Sequence, residues 1–277
     1  MKQPAHLKAG VMGDPVAHSL SPRLHGYWLK RYGIDGDYAA MHVAADSLEA
    51  ALRALALDGV AGCNLTIPHK EAGLSLVDEA SELAHRIGAV NTVVVRDNGT
   101  LYGTNTDAAG FILNLKSQIA DLTPYHRKAV VLGAGGAARA VCAALLDDGF
   151  AVWLTNRTRA KAEAIAAALG AIDVVDWDAR EVAFEGCGLL VNCTSLGLEG
   201  STPLDVSLEA LPRDALVTDI VYKPLMTPLL LDAQARGNPV VDGLGMLLYQ
   251  AVDGFAAWYG VRPEVDAALR AHMLEAL

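Results

Sequence analysis

Short apolar runs alternate along the whole chain with segments of helical periodicity. In the first third, the apolar runs Leu7–Met12, Tyr38–Val43 and Val60–Thr66 predict strands. The segments between them, Ser21–Arg31 and Asp46–Leu57, predict helices, and each begins at a serine or an aspartate that we expect to be its N-cap. This βαβαβ order predicts a parallel sheet with short connections.

A hairpin and a further helix are predicted next. The runs Ala89–Val95 and Thr100–Gly103 flank Asp97–Gly99, whose Asp-Asn-Gly sequence favours a hairpin turn. Helical periodicity then extends over Asp107–Ala120, and we expect a domain boundary near this helix.

A second βαβ series begins at Lys128 and continues to the end of the chain. Its predicted strands are Ala129–Leu132, Ala151–Thr155, Ile172–Val175, Leu189–Cys193, Leu216–Ile220 and Pro239–Val241. Its predicted helices are a first one ending near Asp148, then Thr158–Leu169 with Thr158 as cap, Gly245–Tyr259 and Pro263–Glu275. The pattern alone does not say which domain the last two helices join.

Composition supports an α/β fold class. The chain has 277 residues, of which 52% are hydrophobic, and this suits two domains or one large α/β domain rather than a disordered chain. Alanine, valine and leucine far outnumber aromatic residues, which favours helices packed on a parallel sheet. The formal net charge of −10 disfavours nucleic acid and anionic lipid as partners, so an anionic ligand needs a local neutral or basic pocket.

The four cysteines are expected to be buried free thiols in a reducing compartment, because none forms a CxxC pair and no histidine lies close enough to complete a metal site. They are Cys63, Cys142, Cys187 and Cys193. The N-terminal segment lacks an apolar signal core, and no apolar stretch approaches the roughly 20 residues of a membrane helix. We therefore expect a cytoplasmic protein without a metal.

A glycine turn is the sharpest local signal in the chain. The buried strand at Ala129–Leu132 runs directly into Gly133, Ala134, Gly135, Gly136 and Ala137, which open a helix. In such a turn the first glycine permits a tight bend, the second lets the backbone approach a pyrophosphate, and the helix N-terminus directs N–H groups at the anion. This context predicts dinucleotide binding; the alternative is a merely structural turn.

The end of the next strand indicates which dinucleotide is bound. NAD-binding proteins usually place an acidic residue there, about 20 residues after the glycines, to bind the ribose 2′-hydroxyl. This chain has Asn156, Arg157 and Thr158 instead, followed by Arg159 and Lys161. Because no carboxylate repels a 2′-phosphate and Arg157 can bind it bidentately, the sequence favours NADP. Alternatively, Arg159 and Lys161 are only the solvated face of a helix.

Two polar clusters in the first part of the chain are candidate ligand-binding residues. Ser19 and Ser21 precede a predicted helix and can bond both oxygens of a small carboxylate, unless Ser21 only caps the helix. Asn64 and Thr66 lie at a strand end and point to one face, where open α/β sheets bind ligands. Lys70 follows at the start of a helix, although a lone lysine is usually a solvated surface charge.

A third cluster combines Asn91 with Asp107. Asp107 could be simply the cap of the following helix, and Asn91 could be a turn residue.

Seven motifs, spread in order over nearly the full length of the chain, together resemble the shikimate dehydrogenase family. They are GDPVAHSLSPRLH, NLTIPHKE, GAVNT, TNTD, GAGGAAR, NRT and DGLGMLLYQA.

The resemblance implies an architecture and a set of substrate-binding residues. It implies a substrate-binding and catalytic domain of residues 1–107 and 242–277, with the C-terminal helices returning to it, and a Rossmann-type NADP domain of residues 108–241. The implied substrate-binding residues are Ser19 and Ser21 at the carboxylate, Asn64, Thr66, Asn91 and Gln250 at the hydroxyls, and Tyr222 on the nicotinamide side.

It also implies the catalytic and cofactor residues. Lys70 and Asp107 would be the catalytic pair. The implied cofactor-binding residues are Gly133, Ala134, Gly135, Gly136 and Ala137 at the pyrophosphate, Asn156, Arg157, Thr158 and Lys161 at the 2′-phosphate, and Met246 near the nicotinamide. For Met246, a core methionine is an equally good interpretation.

The function implied is the reversible, NADPH-dependent reduction of 3-dehydroshikimate to shikimate in aromatic amino acid biosynthesis. Three alternatives remain open: a quinate/shikimate dehydrogenase that uses NAD, a non-catalytic nucleotide-binding relative, and a dehydrogenase of another small hydroxy acid or amide. The expected partner is a small-molecule substrate, and whether the chain forms a homodimer is left open.

Overall fold

The computed structural model describes residues 6–119 and 126–277. The chain divides into two compact units, the first containing the chain up to Thr106 together with Leu248–Ala276, and the second containing Asp107–Leu247. The end of the predicted helix Asp107–Ala120 lies outside the described residues, and its described part is helical as far as Gln118.

The first unit opens with six strands and four helices. In chain order they are β1 (Leu7–Gly13), α1 (Ser21–Tyr32), β2 (Gly36–His42), a 3₁₀ turn (Ala45–Ser47), α2 (Leu48–Leu57), β3 (Val60–Leu65), α3 (Lys70–Leu76), β4 (Glu79–Ala80), α4 (Glu82–Ile87), β5 (Thr92–Val95) and β6 (Leu101–Thr104). The strands form one sheet in the order β2-β1-β3-β5-β6-β4.

Pairing in this sheet changes from parallel to antiparallel at one position. Strand β1 pairs in parallel with both β2 and β3, as the predicted βαβαβ order requires. Strand β3 pairs antiparallel with β5, and β5 pairs antiparallel with β6 through the predicted hairpin. Gly99 has φ +82° in the hairpin turn, a conformation that glycine adopts without strain.

The second unit contributes the remaining strands. Its elements are α5 (Asp107–Gln118), β7 (Lys128–Leu132), α6 (Gly136–Asp147), β8 (Ala151–Thr155), α7 (Arg159–Leu169), β9 (Ile172–Val175), a 3₁₀ helix (Trp177–Phe184), β10 (Leu189–Asn192), β11 (Leu216–Asp219), α8 (Pro228–Ala235) and β12 (Val240–Val241). Helix α9 (Leu244–Tyr259) begins in this unit; its residues from Leu248 onward belong to the first unit, as does α10 (Ala267–Leu274).

The sheet of the second unit is parallel throughout and runs β12-β11-β10-β7-β8-β9. The strand order reverses between β7 and β10, so the carboxyl ends of these two strands form a topological switch point. Doubly wound sheets bind their ligands at such a point. The buried apolar runs of β7 and β10 explain their central places, because both faces of a central strand are covered.

These observations confirm the predicted α/β class with mainly parallel sheets. All four cysteines are buried and unpaired, as predicted. Over residues 6–119 and 126–277, no helix is both long and apolar enough to cross a membrane.

Two predicted helix caps are wrong. Leu20 occupies the N-cap of α1, and Ser21 is instead the first helical residue, with its N–H donating to the Ser19 hydroxyl at 3.3 Å. Asp46 lies inside a 3₁₀ turn, and Ser47 stands at the N-cap of α2 without a side-chain cap bond. Helix α1 thus begins one residue earlier than predicted, and α2 begins one residue later because a 3₁₀ turn precedes it.

An aromatic cluster in the first unit contains a histidine with unusual surroundings. His25 is 0% exposed and stacks on Tyr38, with ring centroids 3.8 Å apart and planes 2° from parallel. The rings of Trp28 and Phe255 lie 5.8 Å from it. Neither ring nitrogen has a hydrogen-bond partner among the described residues, and burial lowers the pKa of His25 from 6.5 to about 3.

His25 should therefore make the stability of the protein depend on pH. Because its pKa is lower in the folded state, the unfolded chain binds more protons between pH 3 and 6.5. Stability should fall as the pH drops through this range, by about 2 kcal/mol between pH 7 and pH 5. Urea unfolding at pH 7 and at pH 5 measures the free energy of unfolding of the wild type and of His25→Phe. The difference between the two proteins should change by this amount from one pH to the other. A difference that does not vary with pH would contradict the buried neutral histidine; His85→Phe, at an exposed position, is the control.

Candidate functional site

The loop before α1 brings two serine hydroxyls to a helix N-terminus. Ser19 is half-buried and Ser21 is buried at the first helical position. The first turn of α1 contains no acidic residue, so nothing there offsets the positive end of the helix dipole. This arrangement suits a small carboxylate, which two hydroxyls and a helix N-terminus can bind without a buried cation.

A buried amide lies at the carboxyl end of β3. The Tyr38 hydroxyl donates to Asn64 Oδ1 at 2.6 Å, and Asn64 Nδ2 donates to the Asn91 carbonyl at 3.0 Å and to Thr92 Oγ1 at 3.1 Å. These bonds fix the orientation of the Asn64 amide, because exchanging its oxygen and nitrogen would place two acceptors against each other at the Asn91 carbonyl. Thr66 follows just beyond the strand and is half-buried.

The network continues through the amide of Asn91. Asn91 Nδ2 donates to Thr106 Oγ1 at 2.9 Å and to Gln250 Oε1 at 3.4 Å, and its Oδ1 accepts the Thr106 backbone N–H at 2.8 Å. Asn64, Asn91, Thr92, Thr106 and Gln250 are all buried. The first unit therefore concentrates neutral donors and acceptors in one place, which suits a ligand that carries several hydroxyl groups.

Three members of this network were missed from the sequence: Tyr38, Thr92 and Thr106. Thr92 and Thr106 stand inside the motifs GAVNT and TNTD, so their position in these motifs was an available signal. Tyr38 gave no such signal, because its contact with Asn64 depends on both β2 and β3 pairing with β1.

Lys70 is the first residue of α3, as predicted from the sequence. It is half-buried. The backbone around it is fixed at several points. The Val90 N–H donates to the Lys70 carbonyl at 2.8 Å, and the Thr66 N–H donates to the Met12 carbonyl at 2.9 Å. The buried ring of His69 bonds the Val43 carbonyl through Nε2 at 2.7 Å, a contact that sequence reasoning did not find. Asp107, the first residue of α5, is buried.

In the second unit, the glycine turn leaves β7 and opens α6. Gly133 has φ +103°, and a Cβ there would lie 2.9 Å from the Cys193 backbone carbon, so neither its conformation nor its surroundings admit a side chain. A Cβ on exposed Gly135 would meet nothing within 4 Å, and no side chain caps the helix that begins at Gly136. Ala138, the small residue at the third position of the motif, is buried, as close packing of α6 on β7 requires. The turn thus fits a pyrophosphate, with open space before free backbone N–H groups.

The residues after β8 divide into two groups. Arg157 and Thr158 are exposed, and Arg157 forms no ion pair within the described part of the chain. Asn156 Nδ2 donates to the Thr158 carbonyl at 2.9 Å, and Thr158 occupies the N-cap of α7 without a side-chain cap bond. Arg159 is already engaged by Glu163 at 2.7 Å and Asp176 at 2.6 Å.

The arrangement after β8 thus separates the cations named from the sequence. Arg159 belongs to the solvated face of α7, which was the alternative interpretation of the sequence. Arg157 and Lys161 are exposed and remain suited to a 2′-phosphate. Tyr222 is half-buried in the segment after β11, where burial raises its pKa, and Met246 is buried in the first turns of α9.

Comparison with known proteins connects these features. Residues 11–93 match the family model of the shikimate dehydrogenase substrate binding domain, and residues 115–196 match that of shikimate / quinate 5-dehydrogenase. A shikimate dehydrogenase (NADP(+)) of Paramagnetospirillum magneticum is 57% identical over 268 residues, which cover 96% of this chain and 97% of the relative.

Solved structures agree with these matches. Shikimate 5-dehydrogenase from Thermus thermophilus, in complex with NADP(H) and shikimate, is 39% identical with a TM-score of 0.86, covering 98% of this chain and 100% of that one. Quinate dehydrogenase from Corynebacterium glutamicum, in complex with NAD, is 31% identical with a TM-score of 0.90, covering 97% and 99%. The chain belongs to the shikimate dehydrogenase family.

Proposed function

We propose that the protein is an NADP-dependent shikimate dehydrogenase, which reversibly reduces 3-dehydroshikimate to shikimate in aromatic amino acid biosynthesis. The observation that carries this proposal is the buried, uncharged network of Asn64, Asn91 and Gln250. It offers donors and acceptors to a ring with several hydroxyls, and it occurs in a chain 57% identical to a relative named for this activity.

Substrate binding follows from the chemistry of the first unit. Ser19 and Ser21 hold the substrate carboxylate at the N-terminus of α1, where the helix dipole favours an anion. Four side chains bind the ring hydroxyls: Asn64, Thr66, Asn91 and Gln250. Tyr222 contacts the substrate on its nicotinamide side. The buried amides give specificity, because their bonds to Tyr38, Thr92 and Thr106 hold them in fixed orientations that only a ring with matching hydroxyls can meet.

The cofactor is NADP. Gly133, Ala134, Gly135, Gly136 and Ala137 hold the pyrophosphate, and Asn156, Arg157, Thr158 and Lys161 surround the adenosine 2′-phosphate. Met246 lies beside the nicotinamide. When bound, the cofactor supplies the hydride chemistry at C4 of its nicotinamide, and the protein supplies binding, orientation and proton transfer.

Lys70 and Asp107 form the catalytic pair. During reduction, negative charge develops on the oxygen at C3 of the substrate ring. The Lys70 ammonium stabilises this charge and donates the proton, and in the oxidative direction Lys70 accepts the proton from the C3 hydroxyl. The Asp107 carboxylate orients the lysine.

The carboxylate site predicts a binding defect rather than a chemical one. Ser19→Ala removes one hydrogen bond to a charged group, in the ground and transition states alike, so the KM for shikimate should rise about tenfold with kcat little changed. Steady-state kinetics at saturating NADP measures this split. Ser75→Ala, which removes an exposed hydroxyl bonded to the Ala72 carbonyl, should change neither constant. A loss confined to kcat would count against a carboxylate contact at Ser19.

One experiment separates the proposal from its rivals: NADPH or NADH formation followed at 340 nm with shikimate or quinate and with NADP or NAD. We expect rapid turnover with shikimate and NADP and little with the other three pairs. Comparable rates with quinate or NAD would identify a broad-specificity relative, an outcome to which the structural likeness to a quinate dehydrogenase gives weight. Turnover with none of the pairs would leave a nucleotide-binding protein.

We further propose that residues 1–107 and 242–277 form the functional substrate domain and residues 108–241 the NADP domain. Four buried free cysteines support a cytoplasmic enzyme. The acidic net charge of −10 supports small-molecule partners rather than nucleic acid. Homodimer formation stays open, and sedimentation at several concentrations decides it.

A further inference from the structure

A buried carboxylate in the second unit has only neutral partners. Asp219 ends β11 and is 1% exposed. Asn192 Nδ2 donates to both of its oxygens at 3.0 Å, the Val221 N–H donates to Oδ1 at 2.9 Å, and the Thr227 hydroxyl donates to Oδ2 at 2.8 Å. Among the described residues no cation pairs with it, and burial raises its pKa to about 6. Such an unpaired buried acid is costly, so its position calls for a role.

On one side, this carboxylate fixes the loop that follows β10. Because Asn192 Nδ2 must face Asp219, Asn192 Oδ1 faces away and accepts from the Thr194 N–H at 3.0 Å and the Thr194 hydroxyl at 2.8 Å. The Leu196 N–H in turn donates to Thr194 Oγ1 at 3.1 Å. The orientation of one amide thus determines the path of residues 193–196.

That loop lies directly against the glycine turn. A Cβ on Gly133 would be 2.9 Å from the Cys193 carbonyl carbon and 3.0 Å from Thr194 Cγ2. The Cys193 N–H also donates to the Leu132 carbonyl at 2.7 Å, the last residue before the turn. A shift of Thr194 would therefore be transmitted to the backbone that approaches the pyrophosphate.

On its other side, the same carboxylate fixes the segment that carries Tyr222. The Val221 N–H is bound by Oδ1, and Thr227, held by Oδ2, caps α8 by accepting the Leu230 N–H at 3.4 Å. Both ends of the segment 221–227 are thus attached to one side chain. The Ile220 N–H donates to the Asn192 carbonyl at 3.0 Å, which joins the two loops at the edge of the sheet.

We propose that Asp219 is a positioning residue for the nicotinamide end of the cofactor site, which holds the loop of Thr194 and the segment of Tyr222 in register with the glycine turn. The inference rests on the proposed NADP site. Asp219 contacts neither substrate nor cofactor in this proposal; it acts through Asn192, Val221 and Thr227.

The test is direct binding of NADPH, followed by its fluorescence, to the wild type and to Asp219→Asn. The amide presents an NH₂ to a set of donors, so the network loses an acceptor. The Kd for NADPH should rise about tenfold while the stoichiometry stays at one per chain. A side chain with a merely structural role would lower the bound fraction and Tm but leave the Kd of the folded molecules unchanged.

Asn238→Ala is the matched control. Asn238 is buried in the same unit and donates to the Pro212 and Ala215 carbonyls at 2.7 and 2.9 Å, but at the amino ends of β11 and β12. It should lower Tm without changing the Kd. If Asp219→Asn does not fold, Thr227 provides the test. Thr227→Val should raise the Kd for NADPH severalfold, whereas Thr227→Ser, which keeps the hydroxyl, should have the Kd of the wild type.

An unchanged Kd in folded Asp219→Asn, or in Thr227→Val, would overturn the role of Asp219. Failure of the wild type to bind NADPH would instead overturn the proposed cofactor site itself, so the two failures are distinguishable.

Discussion

Lys70→Ala should lower kcat by about 10²–10⁴-fold and change the KM for shikimate much less. The expected size is that of a lost general acid–base group, because the variant still binds substrate but has no proton donor at the developing oxyanion. Initial rates at 340 nm in both directions, with shikimate and with 3-dehydroshikimate, measure the effect. The loss should be similar in both, since one group handles the proton each way.

Two further variants sharpen this result. Lys70→Arg keeps a positive charge that does not deprotonate, so it separates charge stabilisation from proton transfer; we expect kcat to remain low. Lys30→Ala removes an exposed lysine from the last turn of α1 and should leave both constants unchanged. An unchanged kcat in Lys70→Ala would refute the catalytic role of Lys70.

Arg157→Ala should raise the KM for NADP about 100-fold while leaving the weak use of NAD unchanged. A guanidinium bound to a phosphate forms charge-assisted hydrogen bonds, and their loss is felt only by the cofactor that carries the 2′-phosphate. The ratio of kcat/KM for NADP to that for NAD is the measurement.

The neighbouring arginine provides the control for this experiment. Arg159 is paired with Glu163 and Asp176, so Arg159→Ala should change the NADP/NAD ratio less than about threefold. If Arg159→Ala and Arg157→Ala change the ratio equally, the 2′-phosphate is not bound as proposed.

Features set by neighbouring residues could be predicted from the sequence. The strands β8 and β9 have the predicted limits, and the hairpin around Gly99 and the start of α3 at Lys70 also agree. In each case the structure is determined by residues only a few positions away in the sequence, either an apolar run or a turn residue. The glycine turn belongs here too, because strand, turn and helix are consecutive.

Features set by strand register could not be predicted. The contact of Tyr38 with Asn64 joins residues on two strands that meet only through β1, and the bonds of Asp219 with Asn192 join the ends of two adjacent strands. Hydrophobic pattern gives the strands but not which side chains face each other across them. The wrong cap at Ser21 has a different cause, because Leu20 already has helical backbone angles and the helix therefore starts one residue early.

The roles of the site residues had a different origin. Taken one at a time, Ser19, Lys70 and Asp107 each had a plain structural explanation. Only the ordered set of motifs favoured substrate binding for Ser19 and catalysis for the other two. Arg159 shows the limit of local reasoning from charge, since its ion pair with Asp176 comes from a residue 17 positions away. Sequence spacing cannot reveal such a partner.

The central claim is hydride transfer between C3 of the substrate ring and C4 of the nicotinamide, with Lys70 taking the proton. Its most direct test uses shikimate deuterated at C3 and unlabelled NADP, followed by mass spectrometry of the reduced cofactor. The account predicts NADPH that carries one deuterium, together with unlabelled 3-dehydroshikimate. Reduced cofactor without deuterium would contradict it, because the hydrogen would then come from another position or from solvent.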